Sequence, residues 1–215
     1  MKGAIIYISS NRENPKFEQR IIDDMLSKKG DLQVYSVTQK PMDFENNIVV
    51  GDVGVSGFNF CRQLQMVVES ADVDYVVSCE ADCLYSPDYF TFVPPKLDTV
   101  YRNTNIYLVP YQRDLFWKKR SSTFSQVAGR NFLLNRLESL LEGQPQWNIE
   151  MKNFPKEIGR RFLERWDTFE TEYGCLSLKT GDGMRKHSNS DRVDIRELPY
   201  WGKSRDFKKK YYGDK

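Results

Sequence analysis

The sequence predicts an α/β fold: a single Rossmann-like domain with a mixed, mostly parallel central sheet flanked by helices. Three observations carry this expectation. Short β-branched-rich runs alternate with helix-period segments in the first part of the chain, the pattern of a parallel sheet covered on both faces. The 215 residues, 40% of them hydrophobic, suffice for one sizeable core and match the usual size of one domain. The apolar run Asp74-Tyr-Val-Val-Ser-Cys79 leads directly into Glu80-Ala-Asp82, as a buried strand does where it meets a polar crevice.

The elements follow in order. Gly3–Ser9 is a strand running into the polar loop Ser9-Ser10-Asn11-Arg12. Phe17, Ile21 and Met25 recur every fourth residue, and Lys28, Lys29 and Gly30 close that helix with a basic turn and a glycine stop. Gln33–Thr38 is strand two, and residues 41–47 form a polar loop. Residues 49–57 carry three glycines and open a helix on which Phe60, Leu64, Val67, Val68 and Ala71 share one inward face. Residues 99–109 and 118–123 read as strands, and Arg130–Leu141 as a helix with Leu133, Leu137, Leu140 and Leu141 inward. Residues 156–166 suggest another amphipathic helix, Cys175–Leu178 a last strand, and the remainder a loop with a terminal helix. There is no internal repeat.

Composition narrows the classes of function. No signal-peptide pattern and no apolar run of about 18 residues is present, so the expectation is a soluble, cytoplasmic protein. Cys61, Cys79, Cys83 and Cys175 lie in or beside apolar segments without paired spacing, which predicts four free buried thiols and argues against zinc. The net charge is +2, but residues 179–215 hold eleven Lys or Arg against six Asp or Glu, a net of +5 that leaves −3 for the rest. Such a basic end could meet a diphosphate, an anionic lipid surface or a nucleic acid. Lys208, Lys209 and Lys210 could equally belong to a solvated, frayed terminus.

In open α/β sheets, ligands bind outside the carboxyl ends of the strands, where the loops diverge. Glu80 and Asp82 stand at such an end, and hard oxygen donors of this kind suit Mg²⁺ or Mn²⁺. An acid-x-acid triplet also arises by chance, as Asp72-Val-Asp74 shows, so position is what distinguishes this one.

The order of these signals over residues 1 to about 92 resembles the family-2-like A-type (GT-A fold) glycosyltransferases. The matching residues are Ser9-Ser-Asn11-Arg12 after strand one and Gly54-x-Ser56-Gly-x-Asn59-x-x-Arg62 opening a helix. The most specific match is Glu80-Ala-Asp82 followed by Ser-Pro-Asp-Tyr-Phe90. The resemblance implies transfer of a sugar from a nucleotide-diphosphate sugar, with UDP the commonest nucleotide, to a hydroxylated acceptor, with inversion. It implies nucleotide contacts from Ser9, Ser10, Asn11, Arg12, Ser56, Asn59 and Arg62, and a metal on Asp82. Glutamate at the first acidic position departs from the family's aspartate, so Glu80 is expected to touch the ribose or support the metal's ligand. The adjacent Arg and Asn usual in the family are here separated as Asn59 and Arg62.

Many members of that family place a metal-ligating histidine in a C-terminal loop, and His187, the only histidine, follows the last expected strand. The resemblance therefore adds His187 as a second ligand, with Arg185 and Lys186 beside it to neutralise the departing diphosphate. Gln126-Val-Ala-Gly129-Arg-Asn-Phe-Leu is similar to the segment shaping the acceptor side, and Glu142 or Glu150 could be the general base that deprotonates the acceptor. Trp147 and Trp201 are sugar-stacking candidates. On this reading residues 1–95 bind the nucleotide, 96–178 form the acceptor side, and 179–215 are the basic loop and tail.

Rivals stay open. A sugar-phosphate nucleotidyltransferase would carry a glycine-rich loop after strand one, which residues 8–12 lack. A non-catalytic nucleotide- or nucleic-acid-binding module could use the basic tail. The acceptor could itself be a modified DNA base, as for some phage glycosyltransferases, since Tyr200, Trp201, Tyr211 and Tyr212 make the tail aromatic as well as basic.

Overall fold

A computed structural model describes residues 1–120, 122–159, 165–179, 191 and 193–213. Four parallel strands form the first half of the central sheet: β1 (Gly3–Ser9), β2 (Gln33–Thr38), β3 (Asn46–Val49) and β4 (Tyr75–Glu80). Helix α1 (Pro15–Lys28) joins β1 to β2, and α2 (Gly57–Ser70) joins β3 to β4. The chain then enters β5 (Cys83–Leu84), a 3₁₀ turn at Pro87–Tyr89, β6 (Val100–Asn103), β7 (Ile106–Val109), β8 (Trp117–Lys118), β9 (Gln126–Gly129) and α3 (Arg130–Leu141). It ends with β10 (Asp167–Phe169), β11 (Cys175–Leu178), β12 (Glu197–Leu198), β13 (Gly202–Lys203) and α4 (Ser204–Tyr212).

The seven-stranded sheet has the order β10-β6-β9-β4-β1-β2-β3, and β9 alone among them runs against its neighbours. The mixed, mostly parallel α/β architecture expected from the sequence is what the chain adopts. Alternation along β1 divides the core: Ile6 and Ile8 face α2 and α3, while Ile5 and Tyr7 face Ile22 and Met25 of α1. A smaller sheet, β5-β11-β7-β8, joins α1 and α4 around a third cluster that includes Phe17, Leu84, Phe116, Leu176 and Phe207. All four cysteines are free and buried, as their apolar settings predict.

Several expectations need correction. The 41–47 loop gives way at Asn46 to an edge strand, hidden in the sequence because Asn47 is polar; its Oδ1 accepts from the hydroxyls of Ser36 and Thr38 on β2 at 2.8 and 3.0 Å. Residues 99–109 are two strands in two different sheets. The break is made by Asn103, whose Oδ1 accepts the backbone N–H groups of Asn105 (2.9 Å) and Thr171 (3.2 Å). The expected strand at 118–123 shrinks to Trp117–Lys118, and the structural strand lies further on at Gln126–Gly129, wholly buried between β4 and β6. Four buried residues in a row show no alternation to read.

The helix expected over 156–166 is a single 3₁₀ turn, Lys156–Ile158, which Gly159 stops at φ 68. Residues 160–164 lie outside the described part, and Arg165 and Trp166 are not helical. At the C-terminus, α4 docks on α1 rather than fraying. Tyr211 donates to Asp24 Oδ1 at 2.7 Å, Arg20 donates to Tyr211 O at 3.0 Å, and Lys208 donates to the carbonyls of Tyr111 and Arg113.

Candidate functional site

Register brings the polar ends of β1 and β4 together: Tyr7 lies beside Cys79 and Ile8 beside Glu80, so both strands stop at the same edge. Helix α2 opens onto that edge. Its N-cap is Ser56, whose Oγ accepts from Asn59 N at 2.9 Å and donates to Asn148 O at 2.6 Å. Among the described residues, a cleft of about 170 Å³ results, lined by Ser9, Ser10, Ser56, Asn59, Glu80 and Asp82 with Gly54, Phe60 and Gln63. A larger cleft of about 790 Å³ adjoins it; Ser56, Phe60 and Glu80 belong to both, and Arg12, Gln126, Lys152 and Asn153 extend the second.

The acids sit where the sheet ends. Glu80 is the last residue of β4, and the turn through Ala81 and Asp82 is closed by Leu178, which donates its N–H to Asp82 O at 2.7 Å. Ligand atoms of Glu80, Asp82 and Cys83 all lie within 4.8 Å of one another. Cys83 is the third member of this group, and in the metal-free chain its thiol favours the protonated form. Burial, then the charges of Asp82 and Glu80, push its pKa well up, and it donates to Asp82 Oδ1 at 3.3 Å. The two carboxylates beside it border the cleft, and hard oxygen donors of this kind fit Mg²⁺ or Mn²⁺.

Two lysines complete the cluster, and the sequence reading passed over both. Lys179, the first residue after β11, places Nζ 3.7 Å from Asp82 Oδ2. Lys119 interacts electrostatically with Glu80, Asp82 and Lys179, and its Nζ donates to Ser122 Oγ at 3.1 Å. Burial and then Lys179 hold the Lys119 pKa below the ordinary lysine value. Lys179 is the opposite case: burial works against its charge, yet Asp82 and Glu80 hold its pKa above the ordinary value.

Glu80 is raised from 4.5 to about 7, first by its recessed position and then by Asp82, with Lys179 and Lys119 opposing. A carboxyl whose pKa is higher in the folded chain than in the unfolded one costs stability as pH rises from about 4.5 through about 7. Glu80→Gln is therefore expected to melt higher than the wild type at pH 8 in EDTA, by at most about 3 kcal/mol, with the difference vanishing toward pH 4.5. Melting curves of both proteins across this range check it; a gap that widens toward acid would contradict the assignment.

The remaining expected contacts divide. Ser9 and Ser10 line the smaller cleft and Arg12 the larger. Asn11 turns away at φ 51: its Oδ1 accepts the N–H groups of Gln39 (2.9 Å) and Lys40 (2.8 Å), tying the end of β1 to that of β2. Asn59 lines the cleft, but its amide holds the glycine loop through Val53 O at 2.7 Å and accepts Asn148 N at 2.8 Å. Arg62 lines neither of these two clefts. Its guanidinium donates to Pro145 O at 2.9 Å beyond the end of α3, and with Glu142 it lines a separate cleft. Glu142 is the C-cap of α3, exposed and outside both clefts of the site.

Glu150 is exposed on the segment that also carries Lys152 and Asn153, whose neighbours Met151 and Lys152 accept the N–H groups of Phe58 and Gly57. Arg185, Lys186 and His187 lie outside the described residues. Phe60, expected to face the core, is 37% exposed and forms a wall shared by the two clefts. Trp201 belongs to the C-terminal clasp, donating to Gly174 O at 2.6 Å with Lys28 Nζ 4.3 Å above its ring. Gln63 Nε2 and Gln126 Oε1, on side chains 3% and 4% exposed in the smaller and larger clefts, have no hydrogen-bond partner among the described residues. Nothing in the sequence pattern singles out either glutamine.

No family model matches the chain, and no curated protein is similar to it in sequence. Solved structures are similar in fold. HddC from Yersinia pseudotuberculosis aligns over 82% of this chain and 93% of its own, at TM-score 0.50 and 8% identity. The mannosyltransferase PcManGT from Pyrobaculum calidifontis, solved with GDP-Man and Mn²⁺, aligns over 85% of this chain and 58% of its own, at TM-score 0.48 and 14% identity. A glycosyltransferase involved in glycosylating the major capsid of PBCV-1 aligns over 79% and 82%, at TM-score 0.45 and 9% identity.

The likeness is one of fold. Glycosyltransferases are among these structural neighbours. The chain spans about half the length of several solved chains that it matches. Among the described residues no helix is long and apolar enough to cross a membrane.

Proposed function

We propose that this chain is a metal-dependent glycosyltransferase that moves a sugar from a nucleoside-diphosphate sugar, with UDP the first nucleotide to try, to a hydroxylated acceptor with inversion. The observation that carries the reading is the convergence of Glu80 and Asp82 with the polar end of β1 and the N-terminus of α2 in one cleft. The first N–H groups of α2 are already taken by Lys152 O, Met151 O and Ser56 Oγ, so what this terminus offers an anion such as a diphosphate is the positive end of the helix dipole.

In this reading Asp82 holds the cation, Mn²⁺ or Mg²⁺, and Glu80 supports it from the end of β4 or contacts the ribose. The ion supplies charge stabilisation to the departing diphosphate. Ser9, Ser10 and Arg12 bind the nucleotide, and Lys119 and Lys179 add positive charge. The basic loop with Arg185, Lys186 and His187 keeps its proposed role as leaving-group and metal contact. The larger cleft receives the acceptor, a glycan, another small hydroxylated molecule or a modified DNA base. Of the two carboxylates expected as the acceptor's base, Glu150 stays in the proposal because its segment borders this cleft; Glu142 leaves it because α3 carries it to another face. The tail offers a DNA acceptor little, since Tyr211 is buried against α1 and Trp201 is clasped.

Calorimetric titration of UDP and GDP, each with and without Mn²⁺, tests the reading. Expected is binding of one nucleotide that is at least tenfold tighter with the metal. No binding of either nucleotide by the folded protein sinks it and favours a non-catalytic module.

A further inference from the structure

Asp82 already has a cation beside it in the free protein, Lys179. Its ammonium lies 3.7 Å from Asp82 Oδ2, and both side chains are about one quarter exposed, at 27% and 26%. The lysine is held in place from three directions. Its own N–H donates to Val109 O at 3.0 Å, its carbonyl accepts Tyr212 Oη at 3.2 Å, and the residue before it, Leu178, donates to the carbonyl of Asp82 itself at 2.7 Å. The last contact fastens the backbone bearing the cation to the backbone bearing the anion. Lys119 adds a second positive charge that acts on Glu80 and Asp82.

Even with both carboxylates ionised, the two ammonium groups leave the cluster no net negative charge to draw a divalent ion from solution. An ion that takes Asp82 must first move Lys179 aside, and the cost of separating that pair is subtracted from its affinity. Lysine suits this role: its charge is a point on a flexible four-carbon stem, free to leave one oxygen and find another while its backbone stays fixed.

We propose that Lys179 is a tethered counter-cation of Asp82 that competes with the divalent ion and yields to it when an anionic ligand offers the ammonium another partner. The proposal rests on the metal-dependent reading of the cleft. It makes metal and diphosphate binding mutually dependent, each favouring the other by the same factor. The free protein is then a weak metal binder, and the complete site assembles when both are present.

The test is a titration of Mn²⁺ alone, without nucleotide, followed by the electron paramagnetic resonance signal of the free ion. The proteins are the wild type, Lys179→Met and Lys179→Arg, each checked for folding by its melting curve. Lys179→Met is expected to bind Mn²⁺ at least tenfold more tightly than the wild type. Lys179→Arg, which keeps the charge, is expected to stay within about threefold of it. Should Lys179→Met fold poorly, Lys119→Met removes the second ammonium and is expected to tighten binding in the same direction by a smaller factor. Equal or weaker binding by the charge-removing variants overturns the counter-cation and leaves the metal site standing. Binding by none of the proteins, with or without the lysine, overturns the counter-cation and the metal-dependent reading together.

Discussion

Asp82→Ala is expected to reduce metal-supported nucleotide binding, and turnover of the bound donor, by about 10²- to 10³-fold while leaving the fold intact. The size follows from the donor set. Removing Asp82 leaves Glu80 as the one carboxylate of the described cluster. A single carboxylate is a poor seat for a divalent ion. The intact fold follows from what the side chain does otherwise. Its ion pair with Lys179 is a partly exposed contact of the kind that contributes about 0–1 kcal/mol, and the contact that closes the turn is made by the Asp82 backbone carbonyl, which alanine keeps. Titration of UDP and GDP with Mn²⁺, together with hydrolysis of the matching nucleotide sugar, measures the loss. A variant that kept wild-type metal-dependent binding would remove Asp82 from the site.

How far the site could be read from the sequence depended on where each side chain's partners lie. Glu80 and Asp82 were legible because a buried apolar strand ending in acids carries its own address: the end of a strand in an open sheet. Ser9, Ser10 and Ser56 came from the family resemblance, and they line the same cleft at the ends of β1 and α2. Arg62 and Glu142 fall outside the two clefts because each is a polar residue on a helix whose direction no local pattern reveals; the packing of α2 against α3 turns both toward the 141–145 corner. Lys179 and Lys119 were passed over because they reach the acids from the smaller sheet, and the pairing of β11 with β5 and β7 is long-range information. Gln63 sits among core residues of α2 and Gln126 in a four-residue buried strand, so neither shows an exposed polar pattern. Strands β3 and β9 escaped for related reasons. One is polar and at an edge; the other is too short and too buried to alternate.

Gly129→Ala is expected to cost about 3 kcal/mol or more, at the upper end of the overpacking range. It should lower the melting temperature by about 6–12 °C in a chain of this size. Gly129 is both the last residue of β9 and the N-cap of α3, and its φ of −59° is one that any residue adopts, so backbone freedom is not the reason glycine is there. The reason is contact. A Cβ at this position would stand 1.8 Å from the carbonyl oxygen of Leu97, 2.5 Å from its carbon and 2.8 Å from its Cα. These are backbone atoms, which no rotamer change can move. Relief requires shifting either the 97–99 segment, where Thr99 accepts the Gly129 N–H at 3.4 Å, or β9 itself. Moving β9 disturbs its pairing with β4 on one side and β6 on the other, and Val127 and Ala128 are wholly buried there. It also disturbs the start of α3, anchored by Arg130 N donating to Asp74 O at 2.9 Å. Thermal or urea unfolding of Gly129→Ala measures the effect. A melting temperature within 2 °C of the wild type would mean that the Leu97 backbone gives way freely, and that β9 is not locked between its neighbours as the structure has it.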